Sequence, residues 1–324
     1  MSFRLFVALL LTGIFAWAAH AQSPAKVYRV GLLSMSPAGT CGTSPTLVQA
    51  LAKRGYIEGE TIEFERRPAN GDSARLPGMA ADLGARHVDL IIACSYPAVV
   101  AALSEAPDVP IVAIHAGDPV ETGMARSLSH PGGRITGVSE VSTVLSAKRL
   151  QLLKEAVPSV HKIAVLWNEG DLAMQMRCNA VQAEAKKLGL ENELLPLGSP
   201  ESFKIAFDKM SKEPPDAIFV VADGLTIVNH DLVFQYATAH HLPDMGEYRL
   251  LSHLGGLLAY QADEDDEFDR AADLADRILR GAKPGDLPLE VPTRYHFTVN
   301  LKTARDRGLD IPETILERSD DVIE

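Results

Sequence analysis

The chain has 324 residues, and its 43 acidic side chains outnumber 31 lysines and arginines for a net charge of −12. An acidic surface of that strength repels phosphate backbones and anionic lipid headgroups, which excludes nucleic acid and membrane-surface partners from the expected functions. Three cysteines are too few to scaffold a chain of this length, so hydrophobic packing in two lobes of ordinary domain size must hold it.

At the start of the chain Arg4 precedes an apolar run over residues 5–19, closed by Ala19-His20-Ala21. That pattern predicts a signal peptide over residues 1–21, cleaved after Ala21. The run is shorter than the roughly 20 apolar residues that span a bilayer, and polar Gln22-Ser23-Pro24 follows at once. The mature chain is therefore expected in the periplasm, free of membrane insertion.

Beyond the leader, short apolar runs alternate with helical patterns, the signature of βαβ units and parallel sheets. Strands are predicted over residues 28–33, 61–67, 88–93, 110–115 and 135–138, separated by helices over 46–54, 73–86 and 97–104. A helix over 145–156 opens a second run, with strands at 162–167, 191–195 and 217–221 and a short one near Met245. Helices over 171–188, 200–212 and 226–240 alternate with them. A strand over 257–260, a helix over 265–280, a β segment over 290–300 and a short helix over 301–307 complete the series. The acids Asp263, Glu264, Asp265, Asp266 and Glu267 suit the positive end of the long helix and read as a solvated cap. Cys41 and Cys94 each follow a strand candidate. They either meet at one end of a sheet or stay unpaired, since spacing alone does not choose.

No G-x-S-x-G elbow, H-E-x-x-H pair, G-x-G-x-x-G turn or phosphate-binding loop follows the first strand. Neither a catalytic constellation, a metal nor a cofactor is expected.

Several segments in order carry a resemblance. They are Arg54-Gly55-Tyr56-Ile57-Glu58-Gly59, Gly117-Asp118-Pro119-Val120 with Gly123, Pro131-Gly132-Gly133 with Thr136-Gly137, and Lys148-Arg149-Leu150-Gln151-Leu152-Leu153-Lys154-Glu155. Gly281-Ala282-Lys283-Pro284, Leu287-Pro288, Asn300-Leu301-Lys302-Thr303-Ala304, Gly308-Leu309 and Ile311-Pro312 continue it. Together they resemble the ABC transporter substrate-binding protein family linked to tryptophan or tyrosine uptake. The resemblance implies an α/β fold of two doubly wound parallel-sheet lobes joined by a three-crossing hinge, the type I periplasmic-binding architecture. On that pattern one lobe takes residues 28–141 and 261–284 and the other 142–260 and 285–312. The crossings fall near 139–142, 260–263 and 284–289.

Ligands of such sheets bind beyond the carboxyl ends of the strands. In the first lobe that rule selects Ser34, Ser36, Thr43, Ser44, Ser95, Tyr96, Gly117, Asp118, Ser139 and Glu140; in the second it selects Asn168, Asp171, Asp223, Glu247 and Tyr260. Hydroxyls and helix-start N–H groups suit a carboxylate, and Asp118, Asp223 or Glu247 suits an ammonium. Two positions depart from the family pattern. Tyr96-Pro97 stands where Thr-Pro is usual, and Asn168-Glu169 where Asn-Pro is usual. A larger ring and an extra acid would change the volume and charge of the cleft. The function implied is a monomeric periplasmic receptor, not an enzyme. It closes on a small molecule such as an amino acid or aromatic compound and delivers it to an ABC permease. The alternative is a subunit that presents its ligand to a membrane receptor kinase.

Overall fold

A computed structural model describes residues 26–41 and 44–324. The expected signal peptide and the candidate Thr43 lie outside the described residues.

The apolar runs become two sheets. In the first, β1 (Tyr28–Ser34), β2 (Ile62–Pro68), β3 (Leu90–Cys94), β4 (Ile111–Ile114) and β5 (Ile135–Gly137) lie in the order β2-β1-β3-β4-β5. Every neighbouring pair is parallel, with Val30 opposite both Phe64 and Leu90. β3 and β4 are buried along their whole length, as continuous apolar strands covered on both faces must be. Helix Leu76–Ala85 comes so close that a Cβ on Gly31 of β1 would sit 2.8 Å from Leu83. Glycine is what permits that approach.

The second sheet repeats the plan with β6 (Lys162–Asn168), β7 (Glu191–Leu197), β8 (Ala217–Val220), β9 (Asp244–Gly246) and β10 (Leu258–Ala262). It then adds β11 (Tyr295–Asn300) and β12 (Asp321–Ile323), in the order β12-β11-β10-β9-β8-β6-β7. The run β7-β6-β8-β9-β10 repeats the order of the first sheet, so each lobe has a topological switch point beside its first strand, where open α/β sheets take their ligands. Apolar layers cover both faces of each sheet.

The chain passes between the sheets where the fold class requires. After β10, helix Glu264–Leu279 packs Phe268, Ala271, Ala272 and Ala275 into the layer that holds Val30, Leu32 and Val112 of the first sheet. The following segment stays there. Thr136 Oγ1 donates to the Leu287 carbonyl at 3.0 Å and Glu290 N–H to the Gly137 carbonyl at 2.9 Å. Residues 285–290 thus bond to the first sheet, in the stretch where the family resemblance implies a crossing and begins the second lobe. The return begins after Glu290 and enters at the cleft end of the second sheet, which is why β11 runs antiparallel to β10. Residues past 312 also belong to this sheet, through pairing of β12 with β11. The helix expected over 226–240 is two, Gly224–Val228 and His230–Ala239, divided at Asn229. Among the described residues no helix is long and apolar enough to cross a membrane.

Candidate functional site

The carboxyl ends of the two sheets face each other across a narrow cleft. Ser36 after β1, Ser95 after β3 and Asp223 after β8 line it, as the strand-end rule expects. His115, Met174, Ile227, Tyr248, Leu250, Gln261 and Glu264 line it as well, and the sequence pattern had selected none of them. The wall is largely apolar, with Met174, Ile227, Tyr248 and Leu251 on the second-lobe side.

The backbone of the first-lobe wall is strained where it meets the cleft. Ser95 has φ 91°, His115 φ 49° and Cys41 φ 44°, positions that cost non-glycine residues free energy and persist only where the surroundings fix them. Ser95 opens helix Tyr96–Glu105 without capping it, and its buried Oγ has no hydrogen-bond partner in the protein. Buried polar atoms are normally partnered, which marks Ser95 as a candidate contact.

Most other candidates spend their polar atoms on the fold. Ser34 Oγ accepts from Ser36 N–H at 3.0 Å and closes the turn after β1. Ser44 caps helix Pro45–Ala52, accepting from Thr46 N–H at 3.2 Å. Asp118 accepts from the Thr143 N–H at 3.0 Å and from the Thr143 hydroxyl, and does not line the cleft. Ser139 is buried, with its N–H on the Glu290 carbonyl at 2.8 Å. Asp171 caps helix Leu172–Leu188 through Ala173 and Met174 N–H; burial, then nearby Asp223, pushes its carboxyl up to about 6. Asn168 Nδ2 donates to Asp223 Oδ2 at 2.5 Å, which orients the one second-lobe acid that both caps a helix and lines the cleft. Tyr96 crosses to pack on the second-lobe core. Tyr260 presents its carbonyl to Arg149 Nε at 2.6 Å and its ring to Tyr295.

Beneath the cleft lies a buried ion cluster. Arg177 Nη1 meets Glu247 at 2.7 Å and its Nη2 meets Glu140 at 3.2 Å, while Arg149 stands 3.3 Å from the other Glu247 oxygen. His115 is held between Glu140 at 3.0 Å and Glu267 at 3.6 Å. Burial opposes the imidazolium, but Glu140 and Glu267 outweigh it and push His115 up to about 10. Burial dominates at Glu267 and pushes it up to about 8. At Glu140 burial is overcome by His115, then by Arg177 and Arg149, so this carboxylate lies well below its usual range. Among the described residues, His115, Glu140 and Glu267 alone bring metal-type ligand atoms together, within 4.8 Å. Arg177 beside Glu140 completes the group as ion pairs instead. Glu267 is 2 % exposed, so the acidic run 263–267 is not the uniformly solvated cap its composition suggests.

Contacts across the cleft are close. A Cβ on Gly117 would lie 3.2 Å from Ala173 Cβ and 3.4 Å from Arg177 Nη2; on Gly224 it would lie 2.5 Å from Met35 Cγ.

Comparison with known proteins gives a consistent result. A family model described as ABC transporter substrate binding protein matches residues 40–323. The chain is 26% identical over 258 residues to a tyrosine-binding protein of Clostridioides difficile, covering 80% of this chain and 74% of that one. Its structure is similar to an ABC domain in complex with L-Trp from Streptococcus pneumoniae, at TM-score 0.83 and 24% identity, covering 92% of this chain and 100% of that chain. It is also similar to the ligand-free, open structure of a substrate-binding protein with adhesive properties from Clostridium difficile. There the TM-score is 0.63 at 23% identity, with 92% and 99% covered.

Proposed function

We propose a function on one premise: the chain belongs to the ABC transporter substrate-binding protein family, whose members are solute-binding proteins rather than enzymes. Its two lobes close on an aromatic amino acid or a related aromatic acid and hand it to an ABC permease. It is exported, with the leader removed after Ala21, and acts in the periplasm. The moving bodies are residues 28–141 with 263–290, and the remainder of the mature chain.

The observation that carries this reading is the cleft itself. An apolar wall of Met174, Ile227, Tyr248 and Leu251 faces a strained strand end whose Ser95 Oγ has no partner in the protein. An aromatic ring suits the first and a carboxylate the second, while Asp223 and Glu264 stand where an ammonium would gain from them. The named ligands of the relatives, tyrosine and L-tryptophan, agree with that chemistry. The greater likeness to the tryptophan-bound relative than to the open one, at nearly equal identity and coverage, supports reading the described arrangement as closed. Ser36, Ser95, His115 and Asp223 are the proposed polar contacts.

Titration calorimetry of the mature protein with L-tryptophan, L-tyrosine and 4-hydroxybenzoate tests the reading. At least one should bind with micromolar or tighter affinity and raise the melting temperature by mass action. Ser95→Ala and Asp223→Asn should each weaken it about tenfold, the loss of one hydrogen bond to a charged group. Absence of binding by all three would reject the ligand class.

A further inference from the structure

We propose that the Cys41–Cys94 disulfide is a positioning element of the ligand site: it holds the segment after β1 where that segment walls the cleft, so ligand affinity depends on the bond being intact. This rests on the ligand-binding reading of the cleft. It goes beyond that reading in assigning the bond a role in affinity and making the site sensitive to redox state.

Both cysteines line the cleft, beside Ser36, Thr40 and Ser95. Their Cα atoms are 6.2 Å apart, an ordinary span for a disulfide. The third cysteine, Cys178, is a free thiol buried in the second-lobe core. The bond is thus confined to the strand ends that face the ligand.

The sheet does not depend on it. β1 and β3 are already neighbours, with Leu33 opposite Ala93 and Ser34 opposite Cys94, and apolar layers cover both faces. The bond acts past the last rung of that ladder. Met35 N–H still reaches the Cys94 carbonyl at 3.3 Å; farther on, Thr40 turns back to the Pro37 carbonyl and Ser44 N–H to the Cys41 carbonyl at 2.8 Å. The covalent link ties Cys41, at the far end of this segment, to the end of β3.

The two ends of the link also sit at strained backbone. Cys41 is itself left-handed at φ 44°, and Cys94 immediately precedes Ser95 at φ 91°. Such conformations need surroundings that over-determine them. Ser95 has other anchors, its N–H donating to the Ile114 carbonyl at 3.0 Å and its carbonyl accepting from Val99 N–H at 3.1 Å. The constraint from the bond therefore falls on left-handed Cys41 and the segment that ends there. Cutting it leaves the sheet and Ser95 in place and lets the wall after β1 relax.

Reduction by a water-soluble phosphine is stoichiometrically simple. The S–S bond breaks, two thiols form with two protons from water, and the phosphine takes the water oxygen as phosphine oxide. Burial pushes the Cys178 thiol up to about 12, so it stays unreactive and outside the exchange. The full mature chain is compared oxidised, phosphine-reduced and as the Cys41→Ser/Cys94→Ser double variant, with Cys178→Ser as control. Calorimetry uses L-tryptophan and L-tyrosine as probes, at a temperature where circular dichroism shows every form folded. Reduction and the double substitution should each weaken binding tenfold or more, whereas Cys178→Ser should bind like the wild type and still lose affinity on reduction. Affinity within threefold of the oxidised protein overturns the proposal. Amide exchange supplies a readout that needs no ligand. Residues 38–41 should exchange at least tenfold faster after reduction while β1, β3 and residues 95–99 do not; equal exchange in residues 38–41 overturns the proposal as well. If neither probe binds but exchange changes as stated, the ligand class fails and the positioning role of the bond stands.

Discussion

Gly224 gives the sharpest test of lobe closure, because the three atoms nearest its missing Cβ all belong to Met35 of the opposite lobe. A Cβ there would stand 2.5 Å from Met35 Cγ and 3.0 Å from the Met35 carbonyl oxygen. The Met35 side chain is able to swing, but its carbonyl is not, since it accepts from Gly71 N–H at 2.8 Å. Gly224 does not occupy the left-handed region, so Gly224→Val is tolerated by its own backbone. The crowding falls on the closed arrangement alone. Overpacking of this kind costs about 1–3 kcal/mol, which corresponds to roughly 5- to 150-fold weaker ligand binding. The unliganded variant relieves the clash by opening and should melt at the wild-type temperature. Calorimetry with the bound probe and a thermal scan of the free protein separate the two effects, and scattering at saturating ligand should report a larger radius than for wild type. Affinity within threefold of wild type would refute the reasoning. So would an affinity loss matched by an equal destabilisation of the free protein, which would place the contact inside a lobe.

The ion cluster and the caps yield further expectations. Glu267 rises from 4.5 to about 8 and His115 from 6.5 to about 10 in the folded state; such groups stabilise fully below their unfolded values and lose that contribution as pH climbs through the folded ones. Between pH 6.5 and 8 both are losing it, each by roughly 1 kcal/mol per pH unit at most. Urea midpoints should therefore fall across this window, and Glu267→Gln should flatten the fall; a level wild-type profile would contradict the buried pairing. Arg177→Met leaves Glu140 and Glu247 buried without their shared cation and should cost about 3–5 kcal/mol, whereas a loss under ~1 kcal/mol in denaturant titration would mean water reaches the cluster. Asp118 lies off the cleft and accepts from the Thr143 N–H and hydroxyl at the start of helix Ser142–Ala156. Asp118→Asn, whose amide oxygen still accepts from that N–H, should therefore keep ligand affinity, while Asp118→Ala should lose about 1 kcal/mol of stability. A tenfold affinity loss in the Asn variant would return Asp118 to the ligand site.

The periodicity of the chain carried most of the fold because buried parallel strands are continuous apolar runs, and β3 and β4 read as exactly that kind of segment. What it could not carry were pairings made at a distance. Residues 285–290 lack a strand-like pattern, and the bonds that keep them on the first sheet reach back to Thr136 and Gly137. β12 is three residues long, with no residue fully buried, and only its partner β11 marks it as a strand.

The site was legible as loops but not as side chains, for a chemical reason. The residue types that cap a helix start are the ones that hold a polar ligand there: a hydroxyl or carboxylate that accepts from an N–H. Ser44, Asp118 and Asp171 are consumed in that way, each by an N–H in the chain. Sequence supplies the acceptor and not its donor, so it cannot separate cap from contact. His115 escaped notice because it was counted as the last residue of a strand that ends at Ile114, although the rule that selected Ser95 applies equally one strand over. Glu267 had a signal of its own. It precedes Phe268 and lies four residues before Ala271 on the stripe that enters the core, so helical spacing directs it inward beside His115. The residues left to a ligand are those whose polar atoms remain unpartnered once every cap has been assigned, and at the first-lobe wall Ser95 Oγ meets that condition.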